Sequence, residues 1–224
     1  MDKYQVIKEL FAKHGDENRA PAMAKYMRNQ FMFYGISALD RKKLYKEFIK
    51  SEKSSKKVDW EFLNQCYQDD HREFQYLVYD YLLASKKFIK YEDIPKIRTF
   101  VITKSWWDTV DFLAQVIGNI AINDKRVDPL MIKWSKQENI WIKRVAILYQ
   151  LRFKNYTNSI QLEKIILNCV GSDEFFINKA IGWALREYSK IDPNWVSNFL
   201  NQYQNTLDKL TIREAGKYLK SQQS

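Results

Sequence analysis

The segments "WIKRVAILYQL" from Trp141, "FINKAIGWALR" from Phe176 and "TIREAGKYL" from Thr211 stand 35 residues apart. The same step back from Trp141 reaches Trp106 and "WWDTVDFLAQV". Ile142, Ile177 and Ile212 hold the second place of the last three segments, and the fifth place in the four is Val110, Val145, Ala180 and Ala215. A looser copy, "EFQYLVYDYLL", starts at Glu73. A period near 35 with two helices per unit predicts an α-solenoid, in which each unit buries its apolar faces only against its neighbours and the stack leaves one long concave surface. The expected fold is all-α.

Local signals agree with that period. The chain has only 6 Gly and 4 Pro, and helical spacing of apolar residues is nearly continuous. Asp128-Pro129 and Asp192-Pro193 each read as an N-cap followed by Pro in the first turn, and Ser37 to Asp40 reads as a capping box. These starts and stops predict roughly a dozen helices of about 10 to 17 residues. No linker interrupts them, so residues 1–224 are expected to form one repeat domain, with residues 1–57 as a basic helical cap. That cap carries 14 Lys and Arg against 7 Asp and Glu, which is +7 of the chain's net +10. Such an excess suits a polyanion, either nucleic acid or an anionic membrane surface.

Cys66 and Cys169 lie far apart and only His14 and His71 join them, so no metal site is expected and the thiols should be buried in a reducing compartment. No apolar run approaches the ~18 residues of a membrane span, and the N-terminus has no signal-peptide core. A cytoplasmic protein with no membrane partner, acting as a monomer, is the expectation.

One stretch breaks the local pattern. In "KSWWDTVD" (104–111) Ser105 reads as an N-cap with Asp108 completing a capping box, and Trp106, Val110, Leu113 and Ile117 make a core stripe. Trp107 and Asp111 remain, four residues apart and hence on one face. In the repeat register Asp111 stands where other copies have Ala146, Ile181 and Gly216. A partly buried carboxylate beside an indole is unfavourable unless it is paired, and residues that break a local rule are where function is expected. Pairing of Asp111 with a neighbouring Arg or Lys explains it equally well. Farther on, Phe176, Lys179, Trp183 and Arg186 fall near one helical face, and Arg144, next to Lys143, occupies the same repeat slot as Lys179. Cations on successive repeats with indoles between them can track a phosphate backbone; ordinary solenoid packing with solvated cations is the alternative.

Taken together, "KSWWDTVD", "NIWIKRVAILYQL" (139–151), "EFFINKAIGWALREY" (174–188) and "PAMAKYMRNQFMFYGI" (21–36) resemble the AlkD-type alkylpurine DNA glycosylases, which are built from HEAT-like repeats. The resemblance runs in order along nearly the whole chain. It implies a HEAT-like solenoid with a concave DNA-binding groove, and excision of positively charged N3- and N7-alkylated purines (3-methyladenine, 7-methylguanine) from double-stranded DNA, without a metal or other cofactor. By position, Asp111 is then the catalytic carboxylate, Trp107 and Trp183 are aromatic walls, and Arg144 contacts DNA. Lys143, Lys179, Lys104 and Tyr26 are further DNA-binding candidates. The chemistry suits these residues. An alkylated purine is already a cation and a good leaving group, so no strong general acid is required. A carboxylate aimed at the positive charge developing on the deoxyribose stabilises the transition state and can orient water. Indole faces add cation–π attraction. A non-catalytic DNA-binding solenoid that recognises distorted or branched DNA is the alternative; a scaffold for a protein or peptide fits the charge less well.

Overall fold

The structure, a computed structural model, describes residues 2–220. Within them it consists of α-helices joined by turns and two short 3-10 segments, with a single isolated β-bridge between Met32 and His71. The chain divides into two compact units, residues 1–89 and 90–224.

The first unit holds α1 (Lys3–Lys13), α2 (Ala20–Tyr26), α3 (Ala38–Leu44), α4 (Lys46–Ser54), α5 (Trp60–Gln68) and α6 (Arg72–Ala84). Its core is aromatic. Phe11 of α1 meets Phe74 of α6 edge-on at 5.1 Å between ring centroids, and Leu63, Tyr67, Leu77 and Tyr81 are buried around them. Ser37 caps α3 as expected: its hydroxyl accepts from the Asp40 N–H at 3.2 Å and donates to the Asp40 carboxylate at 2.6 Å. The loop before α3 is held by Glu73, a fully buried carboxylate that accepts the backbone N–H groups of Tyr34, Gly35 and Ile36.

The second unit holds α7 (Ile94–Ile102), α8 (Trp107–Ala121), α9 (Val127–Trp134), α10 (Ile140–Leu148), α11 (Ser159–Leu167), α12 (Phe175–Tyr188), α13 (Pro193–Gln202) and α14 (Lys209–Lys220). These pair as the repeat predicts. The row α8, α10, α12, α14 packs side by side in chain order; α8, α10 and α14 each pack against the helix before them, α12 against α13, and α9 on α11. The sequence register has a physical counterpart. Trp106, Trp141 and Phe176, the first-place residues of three copies, meet in one cluster, with centroids 5.7 Å apart for Trp106–Trp141 and 5.1 Å for both contacts of Phe176. Beneath them Val110, Leu113, Ile117, Val145, Ile177 and Leu185 are fully buried.

Helix boundaries depart from expectation in several places. The helices are shorter, from 7 residues in α2 to 15 in α8. Ser105 does not cap α8. Its hydroxyl donates back to the Val101 carbonyl at 2.7 Å, closing α7, and α8 begins at Trp107 behind an extended Trp106 with no side-chain cap. Serine hydroxyls can bond to a preceding turn as readily as to a following one, and here the earlier helix takes it. Asp128 does not cap α9 either. It lies inside the first turn, where its carboxylate accepts from the Tyr149 hydroxyl at 3.1 Å. Asp192 does cap α13, accepting from the Trp195 N–H at 2.9 Å, with Pro193 next.

Cys66 and Cys169 are both buried free thiols, and burial pushes the Cys169 thiol up to about 11. Among the described residues no helix is long and apolar enough to cross a membrane.

Close approach of α8 to the end of α10 depends on Gly118. A Cβ added there would lie 2.2 Å from the Tyr149 carbonyl oxygen. Glycine inside a helix is otherwise unfavourable by about 1 kcal/mol relative to alanine. Gly118→Ala should therefore destabilise the protein, by about 1–3 kcal/mol as for other overpacked sites, rather than stabilise it. Denaturant unfolding of the variant checks the sign.

Candidate active site

One face of α8 forms a wall of a cleft of about 210 Å3 within the second unit. Helical spacing puts Trp107, Asp111, Gln115 and Asn119 on that wall. The turn after α10 supplies Tyr149, Arg152 and Phe153, and Trp183 of α12 completes the lining. Trp107, Asp111 and Trp183, three residues singled out from the sequence, thus share one cleft.

The pairing that the sequence left open is present at Asp111, and the residue still reaches the cleft. Arg144 of α10 grips it with two parallel hydrogen bonds, Nε to Oδ1 at 2.7 Å and Nη2 to Oδ2 at 2.9 Å. The third nitrogen, Nη1, donates to the Phe176 carbonyl at 2.6 Å. One guanidinium therefore ties α8, α10 and α12 together. The Arg144 side chain is 4% exposed, while Asp111 keeps 14%. Such a fork-on-fork pair is strong and geometrically specific. Burial pushes the Asp111 carboxyl above its ordinary value; the charge and hydrogen bonds of Arg144 oppose that rise, and nearby Asp108 adds to it.

The resemblance implies that Arg144 contacts DNA; within the protein its Nε, Nη1 and Nη2 all donate, which makes it the counter-ion of Asp111. Lys179 does not line the cleft. Its ammonium lies 2.9 Å from Glu214 of α14 and is 39% exposed. Lys143 is half-buried, and its charge opposes the upward shift of the Cys169 thiol, which places it toward the end of α11. Lys104 is half-buried in the turn before α8, in the left-handed backbone region with φ 46°. Tyr26 ends α2 in the first unit and is 71% exposed.

The sequence reading missed Arg152. It is exposed on the lip of the cleft, and among the described residues it makes no ion pair. It also borders a larger hollow of about 650 Å3, likewise lined by Trp183, together with Lys154 and Lys190. The only available signal was the basic run "RFKN" (152–155), which lies past the end of α10, where helical periodicity assigns no face.

Loss of Arg144 would leave a buried carboxylate with no guanidinium. Arg144→Gln should destabilise the protein by about 3–5 kcal/mol near neutral pH. It also removes what opposes the upward shift of Asp111. A carboxyl whose folded pKa exceeds its unfolded value binds a proton more readily in the folded state, so the deficit is full above that folded pKa and shrinks as the pH falls through it. Denaturant midpoints of wild type and variant, followed as the pH is lowered from neutrality toward the carboxylate range, should therefore converge; a constant difference contradicts the pairing energetics.

Comparison with known proteins bears on what such a cleft does. Residues 7–219 match the family model described as "DNA alkylation repair enzyme". A solved structure described as a "Predicted DNA alkylation repair enzyme from Enterococcus faecalis" superposes with a TM-score of 0.83 at 35% sequence identity, covering 92% of this chain and 96% of that one. A search of curated proteins found no match. With nearly the full length matched by the family model, the chain belongs to the DNA alkylation repair enzyme family.

Proposed function

We propose that this member of the family is a DNA glycosylase that hydrolyses the N-glycosidic bond of N3- and N7-alkylated purines, such as 3-methyladenine and 7-methylguanine, in duplex DNA. The observation that carries the proposal is a carboxylate fixed by a bidentate arginine yet facing a cleft walled by two indoles.

The chemistry follows from where charge sits along the reaction. Alkylation makes the purine a cation before the enzyme acts, so departure of the base neutralises the leaving group. Positive charge moves to the deoxyribose as the bond breaks. Asp111, ionised opposite Arg144, is aimed without further reorganisation at a position where that charge can develop. It can accept a hydrogen bond from the attacking water, which orients the water and takes up its proton as the new C–O bond forms. Trp107 and Trp183 present π-faces to the same cation, each contributing about 0.5–2 kcal/mol depending on how much water is excluded. The lesion supplies its own activation, so the mechanism needs no general acid, and neither His14 nor His71 has a place in it.

Arg144 enters this mechanism as the group that orients Asp111. The DNA itself is held by cations whose partners leave them partly in solvent: Lys179, Lys143, Lys104 and the newly noted Arg152, with Tyr26 contributing from α2. Phosphate contacts of this kind give affinity and register without reading sequence, as suits a repair enzyme that acts wherever a lesion occurs.

Asp111→Asn preserves size and can keep one of the two hydrogen bonds from Arg144 while removing the charge. It should lower single-turnover release of 3-methyladenine or 7-methylguanine from methylated duplex by about 10²–10³-fold, the usual loss for one transition-state electrostatic group. Duplex affinity should be kept or improved, because a negative charge near the DNA disappears. Equal release by wild type and Asp111→Asn would contradict the catalytic role and leave a DNA-binding protein in which Asp111 merely neutralises Arg144.

A further inference from the structure

Lys179, Gly182 and Arg186 lie at spacings of three and four on α12, so they share a face, and Trp183 borders it. That face packs on α14 unusually closely. A Cβ added at Gly182 would sit 2.6 Å from the Glu214 Cβ and 3.1 Å from the Thr211 carbonyl oxygen. The missing side chain thus seats Glu214 between the two cations. Its carboxylate accepts from Lys179 at 2.9 Å, from Arg186 at 3.3 Å and from Lys217 at 2.7 Å.

The exposures are uneven in a telling way. Glu214 is 3% exposed, while the side chains of Lys179, Arg186 and Lys217 keep 39%, 28% and 51%. Three cations around one carboxylate leave a net charge of +2, and the anion lies underneath. An ammonium has three N–H donors and a guanidinium five, so each cation keeps donors for a second acceptor. Burial alone would raise the Glu214 carboxyl, but hydrogen bonds from Lys217 and Lys179 and their charges hold it down at about 2, so the brace is ionised at any working pH.

We infer that Glu214 is a positioning residue: it fixes Lys179, Arg186 and Lys217 as a binding surface for the phosphodiester backbone of the DNA strand that lies against Trp183. The inference rests on the DNA-glycosylase reading above and adds to it the surface that grips the backbone beside the cleft and the anion that builds it. Flexible lysines recruited one at a time lose side-chain entropy on binding. Lysines already ordered on a buried carboxylate have lost most of it beforehand, and the carboxylate is shielded from the incoming phosphates by the cations it holds.

The test is the salt dependence of binding to an unmodified duplex, by fluorescence anisotropy between about 50 and about 200 mM salt, for wild type, Lys179→Gln, Arg186→Gln and Glu214→Gln. Loss of one phosphate contact lowers the salt slope by about one, so each cation variant should lose about threefold less affinity than wild type across that range. Glu214→Gln separates two accounts by sign. Charge alone predicts tighter binding, since an anion near DNA is removed. Positioning predicts binding weakened by about threefold or more at the lower salt, with a reduced slope. A purely stabilising Glu214 would lower the melting temperature and leave the slope of the folded protein unchanged. Tighter binding by Glu214→Gln, or wild-type slopes in Lys179→Gln and Arg186→Gln, would overturn the inference. Those two variants leave Glu214 with two partners each, so wild-type slopes in both overturn the inference even if Glu214→Gln does not fold. Absence of any salt-dependent duplex binding by wild type would instead remove the DNA reading itself.

Discussion

The cleft of the second unit depends on the ion pair between Asp111 and Arg144. A carboxylate so nearly buried would take up a proton or pull the helix toward solvent if it stood alone. The guanidinium opposes both with two short hydrogen bonds, and its remaining contact with the Phe176 carbonyl reaches α12, the helix that carries Trp183. One side chain thereby joins the carboxylate to the helix that carries an indole of the cleft. Removing a partner of such a pair is far more damaging than the pair's net stabilisation would suggest, because the survivor is left charged and desolvated. The arrangement makes sense as preorganisation: the charge is held in a place where water could not otherwise hold it so rigidly.

Repetition supplies the frame and a small variation supplies the site. The row α8, α10, α12, α14 is built from one apolar register, and charged residues enter it at few places. Arg144, Lys179 and Glu214 occupy the same slot in successive copies. In the structure the first binds Asp111 of the preceding copy, while the second binds the third. Neighbouring helices of the row are thus joined by charge pairs at α8–α10 and α12–α14, and each of these contacts is also where a glycine permits close approach, Gly118 at the first and Gly182 at the second. Both pairs are on helices that reach the cleft through Trp107, Asp111 or Trp183. Stability and the proposed function draw on the same few departures from the repeat.

How much of this could be read from the residues follows from the range over which each interaction acts. The all-helical fold and the period of 35 were legible because first-place residues such as Trp106, Trp141 and Phe176 have to meet one another, which ties spacing directly to packing. Trp107 and Asp111 stood out because they violate that register. The partner of Asp111 was open, since Arg144 lies one helix pair away and no local rule selects it over another cation. Ser105 and Asp128 were misread as caps for the opposite reason: short polar side chains have several hydrogen-bond partners within reach, and tertiary contacts choose among them. Arg152 lay beyond the last turn of α10, where no periodicity says which way a side chain faces. Belonging to the DNA alkylation repair enzyme family accounts for residues 7–219 at once, but the pairing of Arg144 and the bracing of Lys179 by Glu214 come from the geometry.

The central claim is that the cleft stabilises a cation that the lesion itself supplies, with no general acid to activate a neutral base. Single-turnover release from two otherwise identical duplexes tests it most directly, one carrying cationic 7-methylguanine and the other neutral O6-methylguanine. The account predicts release of the cationic purine and none of the neutral one by wild type, with release of the first dependent on Asp111. Comparable release of both would mean that the enzyme protonates its leaving group, and would contradict the mechanism built on Asp111 and the two indoles.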